Sequence, residues 1–240
     1  MKRDMDRVFG RGRGRSGTEG THWLSVSDLM AGLMVVFLFI AIALMRSAFL
    51  ERDRIREVAV AYQEGQVAIY DALVAEFEQD LPRWDAGIDQ ATLAFEFRSP
   101  EVLFEPGGTE IRPQFREILE DFFPRYVQTI LRFQDSIEEV RVEGHTSSEW
   151  TGAADYTEAY FNNLDLSQGR TQSVLQYSYR IHGVRESRDW IKSRFAAVGH
   201  SSSRPVLSYD GQEDSERSRR VNFRVVTNAE TQIRRILEDQ

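Results

Sequence analysis

An uninterrupted apolar run near the N-terminus constrains this chain more than any other feature. Residues 29–45, LMAGLMVVFLFIAIALM, are 17 residues without a charge or a proline. As a helix they are about 26 Å long, and residues 23–27 add a further turn, so the segment reaches across the hydrocarbon core of a bilayer. A buried core helix and a cleaved signal peptide are the alternatives. We predict a single transmembrane helix over residues 23–45.

The charges on the two sides of this run differ. Residues 1–22 carry six basic and three acidic side chains, whereas the whole 240-residue chain has a net charge of −8. The glycine-rich stretch 10–20 does not favour a helix or a strand, and an acidic chain is not typical of a nucleic-acid-binding protein. Because basic residues accumulate on the cytoplasmic side of a span, we predict a flexible cytoplasmic tail over residues 1–22 and a domain outside the membrane.

Asp28 lies at the start of the apolar run. An ionised carboxylate costs about 2.5–3.5 kcal/mol at the middle of a membrane, and less near its edge. Two interpretations are open. The carboxylate lies among the headgroups and interacts favourably with the helix N-terminus, or it relays protons between the helices of a partner. A single helix cannot enclose a proton path, so the second interpretation requires a polytopic partner.

Residue periodicity after the span predicts a helical linker and then a mixed domain. Residues 46–89 are predicted to be a linker that acts as a stalk, a dimerising helix or a plug, with apolar residues at helical spacing. From residue 90 onward, strands and helices alternate, which predicts an α+β fold with helices on one face of a mixed sheet. The predicted strands are 92–98, 137–143, 195–198 and 221–226, and the predicted helices are 111–133, 167–181 and a short final one within 228–240.

The sequence contains no recognisable catalytic or metal-binding motif. It has no cysteine, and its four histidines lack the close spacing of known zinc motifs. No nucleophile is paired with a base in the sequence. We therefore predict no enzymatic activity, no cofactor and no metal.

The residues before Arg170 predict an anion site. Ser167 is a good helix N-cap, and Gln168, Gly169 and Arg170 would then form the first helical turn. Free backbone N–H groups and the guanidinium would face a carboxylate there. Asn163 offers a donor and an acceptor to a peptide backbone.

Short motifs in a fixed order resemble the OmpA-like peptidoglycan-binding domain over residues 90–227. They are VLFEPGGTEIRP at 102–113, EGHTS at 143–147, NLDLSQGR at 163–170 and SRRVN at 218–222. The resemblance implies that six residues bind peptidoglycan, namely Asn163, Leu166, Arg170, His145, Ser147 and Arg219. Ser147 stands where the family usually has an aspartate for the amino group of diaminopimelate, and Glu149 is the candidate substitute.

The order of segments is similar to that of MotB stator subunits, and the span most resembles the MotB-like subunits of Zorya anti-phage defence systems. This resemblance implies an inner-membrane stator subunit of a proton-driven motor, with Asp28 as proton relay and a periplasmic domain on peptidoglycan. It also implies a ZorA- or MotA-like channel partner and a homodimer within a hetero-oligomer. A flagellar stator and a passive tether without a proton role are the alternatives, and the transported ion is a proton or sodium.

Overall fold

Helix α1 (Glu19–Phe77) contains the predicted span. The computed structural model describes residues 19–98 and 103–228, with side chains from Val26 onward except that of Ala61. The chain divides into two compact units, Met1–Arg56 and Glu57–Gln240, and α1 contributes to both. Within the described residues, one helix is long and apolar enough to cross a membrane, and the most apolar window of that helix is unburied. The predicted final helix over 229–237 lies outside the described residues.

The strands of the second unit form one mixed sheet. In chain order they are β1 (Ala86–Asp89), β2 (Ala94–Phe97), β3 (Ile137–His145), β4 (Phe195–Gly199) and β5 (Arg220–Thr227), and across the sheet the order is β1-β2-β5-β3-β4. β3 and β4 run parallel, whereas the other neighbouring pairs are antiparallel. The predicted α+β fold with a mixed sheet is confirmed. β1 lies in the segment that the sequence predicted as linker.

The helices that follow α1 differ from the prediction mainly at one boundary. They are α2 (Pro113–Leu131), α3 (Tyr156–Arg180), α4 (Arg188–Arg194) and α5 (Ser215–Ser218), with short 3₁₀ helices at Gln134–Ser136 and His182–Ser187. The predicted start of α3 at residue 167 is wrong. Asp155 caps the helix by accepting a hydrogen bond from Glu158 N at 2.9 Å, and the Glu158 carboxylate accepts one from Ala154 N at 2.7 Å. This paired cap begins the helix before Ser167.

The core lies between the helices and one face of the sheet. Alternate residues of the three central strands point to this face and are buried. Phe122 of α2 packs on Phe95 of β2, with ring centroids 4.6 Å apart. Three fully buried residues at the end of α1, namely Ile69, Leu73 and Phe77, belong to the same core. The last turns of α1 are therefore part of the folded domain.

An arginine on α2 also binds the end of α1. Arg125 Nε donates to Glu76 Oε1 at 2.7 Å, and its Nη1 donates to Asp80 Oδ2 at 2.8 Å. The guanidinium lies 4.8 Å from the centroid of the Phe77 ring. Burial by itself lowers the pKa of Arg125, but the hydrogen bonds to these carboxylates outweigh burial and raise the pKa above its already high value.

Glycines allow α3 to lie directly on β3 and β4. A Cβ atom at Gly199 would lie 2.5 Å from the backbone nitrogen of Gln168, and one at Gly144 would lie 2.8 Å from Ser167 O. Neither distance is compatible with van der Waals radii, so these positions require glycine. The close approach fixes the position of α3 at the ends of the two strands.

We expect Gly199→Ala to lower the free energy of unfolding by about 1–3 kcal/mol, because the methyl group must push α3 away from β4. Thermal unfolding of the full chain in detergent, followed by circular dichroism, measures this change. Gly65→Ala is the control, since a Cβ atom there meets nothing within 4 Å and alanine favours the helix. Equal unfolding temperatures for Gly199→Ala and the wild type would contradict this packing.

Candidate functional site

Buried polar residues gather where β3 and β4 end against α3. Thr146 and Ser147 follow β3, Ser201 and Ser202 follow β4, and each is at most 7% exposed. We call these four residues the strand-end cluster. Thr146 N donates to Ser201 O at 3.0 Å, and Ser201 N donates to Ser167 Oγ on α3 at 3.1 Å. The sheet and α3 therefore hold the cluster in place.

The strand-end cluster contains hydroxyl groups that the chain does not satisfy. Thr146 Oγ1 and Ser202 Oγ are buried and have no hydrogen-bond partner among the described residues. Buried polar atoms in native proteins are nearly always hydrogen-bonded, so water or a bound molecule would satisfy these two hydroxyls. Ser201 and Ser202 were not predicted from the sequence. The run of three serines at 201–203, shortly after the predicted strand 195–198, was the available signal.

Arg170 lies in the interior of α3 and is 9% exposed. Its Nε donates to Gly108 O at 2.9 Å and its Nη2 donates to Glu105 O at 3.4 Å. The guanidinium lies 4.9 Å from the centroid of the Phe104 ring. Burial lowers the pKa of Arg170 to about 10, and the charge of Arg219 acts in the same direction. Two like charges near each other in a partly buried place favour an anion between them.

The helix-terminal part of the predicted anion site is wrong. Because Asp155 rather than Ser167 caps α3, residues 168–170 lie inside the helix. Their backbone N–H groups are then used within the helix and do not face a ligand. Ser167 Oγ instead donates to Leu164 O at 3.0 Å. The positive charge at this place comes from side chains alone.

The other residues predicted on α3 lie on its buried or half-buried side. Asn163 is 3% exposed, and its Nδ2 donates to Glu149 O at 3.3 Å. Leu166 is half-buried and lies outside the main hydrophobic cluster.

A carboxylate is held next to Ser147, but it is not that of Glu149. Glu149 is exposed. Glu213, from the loop before α5, accepts hydrogen bonds from Ser148 N at 3.1 Å and from the Ser148 hydroxyl. The fold therefore brings an acidic group from a distant loop to the position beside Ser147. No pattern in the sequence pointed to Glu213.

His145 belongs to a different group of side chains. It is buried beside Glu143, and its ring stacks on that of His200 with centroids 4.9 Å apart. Burial lowers the pKa of His145 to about 4, so this histidine is neutral at pH 7. Burial raises the pKa of the Glu143 carboxyl, but His145, His200 and Arg224 offset that effect, and the net shift is downward.

Arg219 and Asp28 are the two remaining predicted residues. Arg219 directly follows α5, is half-buried, and acts electrostatically on Arg170. Asp28 lies in α1, within the first unit, and its side chain is exposed. The structure thus brings Arg170 and Arg219 near each other, whereas His145 contacts Glu143 and His200 instead.

Several known proteins are similar to this chain. The OmpA family model matches residues 103–219. A MotB-like protein from Desulfovibrio vulgaris has a solved structure that is 22% identical, with a TM-score of 0.47, covering 71% of this chain and 94% of that one. The cell wall anchor of the T6SS from Pseudomonas aeruginosa is 22% identical, with a TM-score of 0.45, covering 65% of this chain and 96% of that one.

The fold and the family match define the class: an OmpA-family domain joined to an N-terminal apolar helix. A curated relative is more specific. Zorya protein ZorB of Escherichia coli is 53% identical over 235 residues, which are 98% of this chain and 100% of that protein. The chain therefore belongs to the ZorB family.

Proposed function

We propose that this protein is a membrane-anchored stator subunit whose OmpA-family domain binds peptidoglycan outside the inner membrane. The observation that carries this proposal is the pair of guanidinium groups, Arg170 and Arg219, on an OmpA-family fold. Peptide stems of peptidoglycan end in carboxylates, and arginine is well suited to bind such groups. Three of the five N–H donors of Arg170 are not used by its bonds to the 105–108 loop.

The remaining polar groups match the other parts of a wall peptide. Asn163 and the unsatisfied hydroxyls of Thr146 and Ser202 would contact its amide groups. Glu213 would receive the amino group that the aspartate of related domains binds, since Ser147 cannot do so and Glu213 is held beside it. His145 does not take part in this arrangement, because its contacts are with Glu143 and His200.

We further propose that Asp28 relays protons with a polytopic channel partner. An ionisable residue within a membrane-spanning segment typically pairs with a partner and marks an ion or proton path. One proton that crosses about 100 mV releases roughly 2.3 kcal/mol, which would drive the partner while the outer domain holds the wall. The relationship to Zorya protein ZorB supports a role in anti-phage defence, a ZorA-like partner and two copies of this chain per complex.

Topology and assembly test the proposal together. We expect a periplasm-active reporter fused after Gln240 to be active and the mature chain to keep its N-terminal residues. We also expect the protein to co-purify from membranes with a multi-span protein. A mature chain that begins near residue 46, or a stable monomer that binds no membrane protein in its native host, would contradict the stator function.

A further inference from the structure

Three side chains on the sheet face opposite the hydrophobic core form a compact group that is distinct from the strand-end cluster. Glu143 and His145 are alternate residues of β3 and therefore point to the same side. β4 runs parallel to β3, with Gly144 opposite Gly199, so His200 lies beside His145. We call Glu143, His145 and His200 the His-Glu group. The spacing of residues in the sequence does not predict the His-Glu group, because parallel pairing of β3 and β4 brings its members together.

The distances within the His-Glu group are too long for hydrogen bonds. Glu143 Oε2 lies 3.7 Å from His145 Nε2, and Glu143 Oε1 lies 3.5 Å from His200 Nε2. An N–H···O bond has its atoms about 2.7–3.2 Å apart. Tetrahedral zinc with bonds of about 2.0–2.2 Å would place its ligand atoms about 3.3–3.5 Å apart.

The two distances from Glu143 to the histidines involve different oxygens of its carboxylate, and one ligand atom from each residue lies within 4.8 Å of the others. The two rings are stacked at 21°, and a metal lies in the plane of each imidazole that binds it. One ring must therefore turn, and the ligands must move closer, for all three to bind one ion.

The same atoms are buried and unsatisfied. The side chains of Glu143, His145 and His200 are 3%, 2% and 15% exposed. Glu143 Oε1, both ring nitrogens of His145 and His200 Nε2 have no hydrogen-bond partner in the described part of the chain. Four such atoms in one place are unusual in a native protein, and a bound group would satisfy them.

We propose that the His-Glu group binds a divalent cation of the zinc type. Two imidazole nitrogens and one carboxylate oxygen are the donors that zinc prefers, and three protein ligands leave the fourth position for water. His145 and His200 directly precede Thr146 and Ser201 of the strand-end cluster. A cation here would therefore bind the end of β3 to the end of β4.

Nearby guanidinium groups repel a cation at the His-Glu group and so lower the affinity of the group for it. Arg224 Nη1 and Arg204 Nη1 lie 3.7 Å and 4.0 Å from Glu143 Oε1, and Arg220 lies beside Glu96 at 3.8 Å on the same sheet face. Arg204 is about half exposed, with 49% of its side chain accessible. It can swing into solvent when a cation enters. The same charges allow a competing interpretation, in which the group is an ion-pair network without a metal.

Zinc binding by the full chain in detergent distinguishes the two interpretations. After dialysis against a chelator, we expect calorimetric titration with zinc chloride to give one ion per chain and a higher unfolding temperature. Cobalt(II) should give the visible absorption of a tetrahedral site. His200→Gln, which removes one ligand, should weaken zinc binding by more than about 100-fold. His182→Gln is the matched control, since His182 is exposed on a 3₁₀ helix.

A second variant tests the same site without removing a ligand. Arg204→Gln should tighten zinc binding about tenfold, because it removes a positive charge that repels the cation. Circular dichroism checks that each variant is folded. Failure of the wild type to bind one zinc ion would overturn the proposal, and so would equal zinc binding by His200→Gln and the wild type.

Discussion

Replacement of Asp28 by asparagine should abolish anti-phage protection and reduce it to the level of cells without the system. The amide has the shape of the carboxylic acid but cannot take up and release a proton, so assembly should survive while the relay stops. Plaque counts on cells that carry the complete system measure protection. Immunoblots of membranes and co-purification with the channel partner measure assembly.

Two further variants test whether protection requires a carboxylate at position 28 in particular. Asp28→Glu keeps a carboxylate and should retain part of the protection. Asp53→Asn removes an exposed acid just after the span and should leave protection unchanged. Swimming assays in the same strains separate a defence role from a flagellar one. Full protection by Asp28→Asn would leave the passive tether as the better explanation.

The second large effect that we expect is a loss of peptidoglycan binding when Arg170 is replaced. Arg170→Ala should reduce binding of the full chain to purified peptidoglycan about 10- to 150-fold, which corresponds to about 1.5–3 kcal/mol for a charge-assisted contact. Sedimentation with insoluble peptidoglycan measures it. Arg185→Ala is the matched control, because Arg185 is an exposed arginine of the same domain. Asn163→Ala should act in the same direction but less.

Arg170 also holds the 105–108 loop, so its loss could act through that loop. Arg219→Gln removes the second charge and leaves both loop bonds in place, and it should also weaken binding. Glu213→Gln should weaken binding as well, and Ser147→Asp should restore it in that background if both acids serve the same amino group. Unchanged binding in both arginine variants would mean that the domain has another ligand.

The sequence by itself determined the features that depend on local composition. The long helix with its apolar run and the strands β2, β3, β4 and β5 could be predicted, because hydrophobic periodicity is a property of neighbouring residues. The motifs that resemble the OmpA-like domain gave its fold class. The resemblance of these motifs also pointed to Arg170 and Arg219, and the structure places these two charges near each other.

The start of α3 was predicted wrongly because two residues are candidates for its N-cap. Ser167 resembles an N-cap, but Asp155 and Glu158 form the cap that the helix uses. The helix therefore continues through Ser167, and the backbone N–H groups expected to bind an anion are inside it. The polar residues between 155 and 167 hid this continuation, because their helix propensity is modest.

Only the tertiary structure decided which distant residues meet. Glu213 reaches Ser148 because a loop before α5 folds back on the end of β3. His200 reaches His145 because β4 pairs in parallel with β3 in one register. Ile69, Leu73 and Phe77, which helical spacing alone assigned to a linker, are buried because α2 and the sheet cover one side of α1. Such contacts depend on strand order and helix packing, and the spacing of residues along the chain does not contain them.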